Sequence, residues 1–428
     1  MKLTWFGHLK KTLAWTIRAI VIGLVCGPSI ALLAAMISAA SQTRHANPAL
    51  ILAIPLGAVV TAYLFKTLGP HLQEGTIRIM SVINRSAEGT SEALGQPTYV
   101  ESVTDGDGEV STKLAPLLLA TTLITHLVGA SGGKEGVGVQ IGSSLASYLG
   151  EAESRLRGRP FSVQHQGLWL IAGAASGFAA LFGAPVAGVL FGLQFSNPRV
   201  NRTDAFLPAL VAAYTATLSS QALHIKTIET VTGSPMPLTL TNLGSALLAA
   251  LFFGLFSRLF CWTIHQVRRV VSTITNSFYV RSLFTSSLLL AASLIIYLLV
   301  GSFEYNGLST HLIADAGRGA SSAWAPLFKF ILTILTIASG FIGGEVVPIL
   351  VIGSTVGSLL ASSFGLPVAT FAMFGAVGML SGSTKLPLAC FALALELFGF
   401  SNPAMVFFVC AVSYFISGPA SIYQSEAE

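Results

Sequence analysis

Gly132-Gly133-Lys134-Glu135-Gly136-Val137-Gly138-Val139-Gln140-Ile141-Gly142-Ser143 decides how this chain is read. Its counterpart is Gly343-Gly344-Glu345-Val346-Val347-Pro348, which runs on to Ile352-Gly353-Ser354. Gly133, Ile141, Gly142 and Ser143 match Gly344, Ile352, Gly353 and Ser354 at one offset of 211 residues. Downstream of each, Gly173, Pro185 and Gln194 match Gly375, Pro387 and Glu396 at an offset of 202. Each half therefore holds a glycine-opened helix followed by a Gly…Pro…Gln/Glu helix pair. An internal duplication of this kind marks repeat-built membrane transporters.

A Gly-Gly pair followed at once by apolar residues reads as a helix start. A helix start carries unpaired backbone N–H groups and a partial positive charge. Two such ends brought together form an anion site with no buried Lys or Arg required. A permanent cation there would hold the anion too tightly for release.

Outward from these stretches, composition sets the class. Of 428 residues, 53% are hydrophobic and 10% charged, against about 25% charged in a soluble domain. The mean hydropathy is +0.74. Most of the chain is expected to lie in lipid. The net charge of +5 comes from Lys and Arg in short polar breaks, such as Lys10-Lys11, Arg155 to Arg159 and Arg268-Arg269. That is the pattern of loop anchors, not of a nucleic-acid groove, and no nucleic-acid partner is expected. Cys26, Cys261, Cys390 and Cys410 lie far apart in apolar stretches, so neither a metal site nor a cofactor is expected.

Apolar stretches fall at 13–40, 48–66, 114–130, 165–195, 205–222, 243–266, 283–301, 326–342, 348–363, 367–380, 385–399 and 403–418. Several are shorter than the ~20 residues of a clean span. Broken helices are tolerated in lipid only where the freed backbone is buried or lines a cavity. The 42 glycines thus point to a transporter or channel interior. The segment 81–113 reads as a polar loop outside the membrane. Asp105, Asp107 and Glu109 start like a calcium loop, but Val110 and Pro116 occupy its glycine and glutamate positions, so it is read as a solvated acidic loop. The chain closes on a short polar tail, Gln424 to Glu428.

At these residues the chain resembles the CLC family of chloride channels and anion–proton antiporters, over nearly its whole length. The family's G-[KR]-E-G-P appears as Gly133-Lys134-Glu135-Gly136-Val137. Its G-x-F-x-P appears as Gly344-Glu345-Val346-Val347-Pro348. The stretch Ala172 to Phe195, with Gly183-Ala184-Pro185, is also similar. The departures carry information. G-S-G-I-P is not recognisable, and Gly75-Thr76-Ile77-Arg78-Ile79-Met80 stands in its place. Gly-Gly-Glu-Val-x-Pro resembles the fluoride-exporting branch of the family, where threonine usually stands at the position of Val347.

The resemblance implies an all-α polytopic membrane protein with a CLC-type inverted-repeat fold and broken helices. It implies one transmembrane transport domain over 1–428, with repeats at about 50–200 and 240–418 and no soluble regulatory domain. It implies a homodimer with a pore in each subunit, in a bacterial inner membrane, moving fluoride (or chloride) against protons. By resemblance Glu135 is the gating glutamate: a carboxylate that occupies the anion site and leaves once protonated. An ionisable group in a membrane segment is costly and usually functional. Glu345 is the second acid, a proton relay or otherwise a helix cap. The chloride antiporters place a proton glutamate near Gln194-Phe195, and neither residue can relay protons.

The anion donors are expected to be backbone N–H groups of Glu135, Gly136 and Val137 and of Glu345, Val346 and Val347, beside Gly133 and Lys134. Lys134 is expected at the helix start, facing water or an acidic neighbour. Tyr423 falls where the family places a tyrosine hydroxyl at the pore, and Thr76 and Met80 are candidates for the missing serine. The alternative within transport is a chloride channel or chloride/proton exchanger. An intramembrane hydrolase would need a nucleophile with a base beside it. No Ser/His pairing stands out, and no enzyme activity is expected.

Overall fold

The computed structural model describes residues 2–68, 76, 79–84, 114–158, 161, 163–195, 203–223, 228–274 and 277–423. The acidic stretch from Asp105 to Glu109, Gly75, Ile77, Arg78 and the tail Gln424 to Glu428 lie outside the described residues. The chain forms two compact units, one of Met1–Leu32, His71–Pro116 and Gly138–Ile225, the other of Leu33–Pro70, Leu117–Val137 and Lys226–Glu428.

The described residues are helical apart from turns and loops, with one isolated β-bridge and no strand. The α-helices whose bounds fall among the described residues are, in chain order, α1 (Lys2–Ala46), α2 (Ile54–Leu68), α3 (Leu114–Val128), α4 (Glu135–Leu156), α5 (Val163–Phe182), α6 (Pro185–Phe195), α7 (Phe206–Gln221), α8 (Leu240–Ile274), α9 (Phe278–Val300), α10 (His311–Arg318), α11 (Ala325–Ala338), α12 (Val346–Phe364), α13 (Val368–Thr384), α14 (Pro387–Phe398) and α15 (Pro403–Ile416). Five described helical segments are long and apolar enough to cross a membrane, and seven shorter apolar helices of 10–17 residues stand beside them. The short ones cannot cross alone.

One boundary differs from the sequence expectation. Residues 79–84 are helical, with Ile79, Val82 and Ile83 buried, so Ser81 to Asn84 are not part of a polar loop. The apolar run 165–195 is two helices, α5 and α6. Gly183 takes φ +67° and ends α5. Pro185, with no N–H to lose, then opens α6.

In the first unit, α4 and α5 meet at Gly142 and Gly173. A Cβ on Gly142 would stand 2.3 Å from the Gly173 carbonyl oxygen, and one on Gly173 would stand 2.4 Å from that of Gly142. In the second unit, α12 and α13 meet in the same way at Gly353 and Gly375, where the distances are 2.3 and 2.1 Å. Gly353 is Gly142 plus 211, and Gly375 is Gly173 plus 202. The repeat seen in sequence is thus a repeated backbone-to-backbone contact. The break between α13 and α14 also follows the offset of 202. Lys385, the counterpart of Gly183, takes φ +64°, and Pro387 opens α14. A left-handed conformation costs a non-glycine residue about 1–2 kcal/mol. Lys385 makes a compensating contact, donating through Nζ to Ser417 Oγ at 2.5 Å.

Candidate anion site at two helix starts

The second unit brings the starts of α4 and α12 face to face. The segments before them run antiparallel, and Gly133 and Gly344 exchange hydrogen bonds. Gly133 N–H donates to Gly344 O at 2.6 Å, and Gly344 N–H donates to Gly133 O at 2.8 Å. A side chain would not fit: a Cβ on Gly133 would lie 2.6 Å from Gly344 O. Hydroxyls hold the two segments. Thr125 Oγ1 donates to Ile342 O at 2.8 Å. Ser131 N–H donates to Thr336 Oγ1 at 2.8 Å, and Ser131 Oγ lies 3.0 Å from Thr333 Oγ1.

The carboxylate of Glu135 sits at both helix starts. Its side chain is 1% exposed. Oε2 accepts from Lys134 N–H at 3.0 Å and, more weakly, from Val347 N–H at 3.4 Å. Oε1 has no hydrogen-bond partner. The Lys134 ammonium adds a favourable charge interaction. One negative group is therefore held by amides of two helix ends, where the two dipoles add. A small anion would meet the same donors. Carboxylate and anion cannot share them, so either must leave for the other to bind.

Glu345 is placed differently. It is the residue before α12, but its side chain makes no capping hydrogen bond. Its Oε1 lies 3.8 Å from Arg268 Nη2 of α8, and the two side chains are 21% and 45% exposed. The capping alternative is not what is observed. Glu345 reaches toward a partly exposed cation, whereas Glu135 is enclosed. Tyr423 is half-buried and electrostatically coupled to both Glu345 and Glu135. Its segment is fixed by Ile422 N–H, which donates to Ser383 O at 3.0 Å.

The second unit thus gathers Gly133, Lys134, Glu135, Gly136, Val137, Glu345, Val346, Val347 and Tyr423. Val137, Val346 and Val347 are 1%, 3% and 0% exposed, so their contribution is through the backbone. Lys134 is buried, which corrects the water-facing alternative and leaves the acidic neighbour, Glu135. Thr76 and Met80 belong to the first unit. There the Nε2 of Gln140 donates to Thr76 Oγ1, and Met80 is half-buried.

Sequence reading missed Thr125, Ser131, Thr333, Thr336 and the pairing of Arg268. It also passed over Gly129-Ala130-Ser131-Gly132-Gly133, which has the spacing Gly-x-Ser-x-Gly. The partner of the Ser131 hydroxyl is Thr333, not a histidine, so this spacing serves to position the loop. Among the described residues no group of His, Cys, Asp and Glu is arranged to hold a metal, and all four cysteines are buried thiols.

Comparison with known proteins gives this geometry a family. The family described as "Voltage gated chloride channel" matches residues 76–418. The chain is 30% identical to a chloride/fluoride channel protein of Pseudomonas syringae pv. tomato, across 96% of this chain and 86% of the relative. Its fold is similar to the crystal structure of a CLC-type fluoride/proton antiporter, with a TM-score of 0.83 at 30% identity, covering 96% of this chain and 97% of the other. A slow cyanobacterial Cl−/H+ antiporter shares the fold at a TM-score of 0.71 and 20% identity, over 94% of each chain. With its paired helix starts, its broken helices and a match across most of its length, this chain is a polytopic membrane protein that belongs to the CLC family of anion channels and antiporters.

Proposed function

We propose that the chain is a proton-coupled fluoride antiporter that exports fluoride. The observation that carries the reading is Glu135, whose Oε2 accepts from Lys134 and Val347 amides at two facing helix starts. Protonation removes its charge and frees those donors, and an incoming anion takes them. Each exchange of carboxylate for anion thereby links one proton to anion movement. Fluoride is small and strongly hydrated, so several close donors must replace its water. Backbone amides at both helix starts supply them without a bulky side chain. The Gly-Gly-Glu-Val stretch, and likeness at 30% identity to a CLC-type fluoride/proton antiporter, favour fluoride.

Glu345 relays the proton, with Arg268 holding its carboxylate toward one mouth of the path. Tyr423 lends its hydroxyl to the same region. The protein works as a homodimer in a bacterial inner membrane, each subunit with its own pore, and catalyses no covalent reaction.

Purified protein in liposomes loaded with fluoride or with chloride, with external pH followed, tests this. Fast fluoride efflux with opposite proton movement and little chloride flux is expected. Comparable or faster chloride flux would assign a chloride transporter, and anion flux without proton movement a channel.

A further inference from the structure

A cavity of about 550 Å³ opens in the second unit, with Arg44, His45, Tyr297, Ser302, Glu304 and His311 among its lining residues. Arg44, in the last turn of α1, is 3% exposed. One guanidinium nitrogen, Nη2, lies 2.8 Å from His45 Nε2. A guanidinium has no lone pair to offer, so Arg44 donates and His45 accepts. The other two nitrogens, Nε and Nη1, have no partner. Arg44 forms no ion pair within 4 Å among the described residues. A buried cation is normally paired, because its lost hydration must be offset. Here the counter-charge is missing.

The surroundings deepen that deficit. Lys329 is fully buried, and its Nζ donates only to neutral acceptors: Tyr305 O at 3.2 Å, Gly307 O at 2.6 Å and Ser309 Oγ at 3.1 Å. Arg44 and Lys329 interact as like charges. His126, fully buried beside the Gly133 backbone, feels Arg44, Lys134 and Lys329. Glu304, the carboxylate among the lining residues, is engaged by the Tyr305 phenol and by His311. The Arg44 side chain also packs on Gly129, where a Cβ would stand 2.9 Å from its Cδ and 3.1 Å from its Nη1. Gly129 begins the loop that ends at Gly133, Lys134 and Glu135. Arg44 thus places a buried cation without a counter-charge between the cavity wall and the loop that carries Gly133, Lys134 and Glu135.

We propose that this cavity is a docking site for a small monatomic anion of the halide class, held by Arg44 with His45 and His311, from which the ion is passed to the site at Glu135. The inference rests on anion transport as such and not on which anion is preferred. The anion supplies the charge that Arg44 lacks. Neutral His45 fixes the guanidinium, and the cavity gives the ion a partly hydrated stop before it loses its remaining water.

The test uses the full chain in liposomes, with initial flux measured against anion concentration for fluoride and for chloride in parallel. Arg44→Gln is expected to raise the half-saturating concentration about tenfold while maximal rate stays within about twofold. Arg44→Lys, which keeps the charge, is expected to stay within about threefold of the original. An unchanged half-saturating concentration in Arg44→Gln overturns the proposal, as does a loss confined to maximal rate. If that variant does not fold, Ser302→Cys labelled with an anionic or a cationic thiosulfonate of like size decides. The anionic label is expected to slow subsaturating flux and the cationic label to spare it, and equal effects overturn the site. A wrong choice between fluoride and chloride would appear instead as the ratio of the two wild-type rates.

Discussion

Gly133 and Gly344, 211 residues apart, exchange backbone hydrogen bonds at 2.6 and 2.8 Å and so fix two helix starts against each other. This contact leaves no room for a Cβ. On Gly344 it would lie 2.7 Å from Gly136 N and 3.0 Å from Glu135 N. Gly344→Ala is therefore expected to part the bridge, lower stability by about 1–3 kcal/mol and abolish transport. Gly244→Ala in α8, where a Cβ meets nothing within 4 Å, is the matched control and is expected to be neutral or stabilising by up to about 1 kcal/mol. Thermal unfolding in detergent together with liposome flux separates them. Normal transport by Gly344→Ala would mean that the bridge does not shape the site.

Glu135→Gln keeps an oxygen to accept from Lys134 and Val347 but cannot ionise. Proton movement coupled to anion flux is expected to fall at least about tenfold, to the liposome background, with anion exchange impaired. The folded state loses a buried charge rather than a packing contact, so its melting temperature is expected to move by only a few degrees. Fluoride-driven proton uptake at the wild-type rate in this variant would remove Glu135 from the coupling step.

The pair Glu345–Arg268 allows a sharper division of labour. The two side chains are 3.8 Å apart and partly exposed, so their ion pair is worth less than about 1 kcal/mol. Glu345→Gln and Arg268→Gln are both expected to fold normally. The first is expected to slow proton movement several-fold with anion affinity little changed. The second is expected to do the same more weakly, since it removes only the group that holds the carboxylate. If anion affinity collapses in Glu345→Gln while coupling persists, Glu345 supports the start of α12 and relays nothing.

Which parts of this arrangement were legible in the chain follows from what kind of constraint each feature is. Gly142, Gly173, Gly353 and Gly375 were legible because a backbone crossing at van der Waals distance admits only glycine, and the same crossing occurs twice. Pro185 and Pro387 were legible as matched positions in the helix pair of each half. The helix pair was legible from Gly173, Pro185 and Gln194, but Gly183 was not singled out as the break because apolar residues continue on both sides of it. Arg268 looked like any loop anchor, and nothing in its neighbourhood names Glu345, 77 positions on, as its partner. Thr125, Ser131, Thr333 and Thr336 each bond across about 200 residues of sequence or receive such a bond. A hydroxyl in an apolar helix more often bonds its own preceding turn, as Ser176 does to Ala172 O. Their selection as loop clamps is a tertiary fact.

Val347 offers the most direct trial of the choice between fluoride and chloride. It is fully buried, and its amide already points at Glu135 Oε2. Val347→Thr keeps the β-branched shape and exchanges one methyl for a hydroxyl one residue into α12. Two outcomes compete. If the hydroxyl reaches the anion, it adds a donor to an ion that has shed its water, and fluoride affinity is expected to rise several-fold with chloride changed less. If the hydroxyl faces the apolar wall, it is left unpaired, and the variant is expected to lose about 1–3 kcal/mol of stability with no change in the fluoride-to-chloride ratio. The same helix start supplies both readouts, so flux ratio and melting temperature measured on one preparation decide between them. A rise in fluoride preference at unchanged stability would place the side chain at position 347 in the anion path. The stability loss alone would confine this position to its backbone amide.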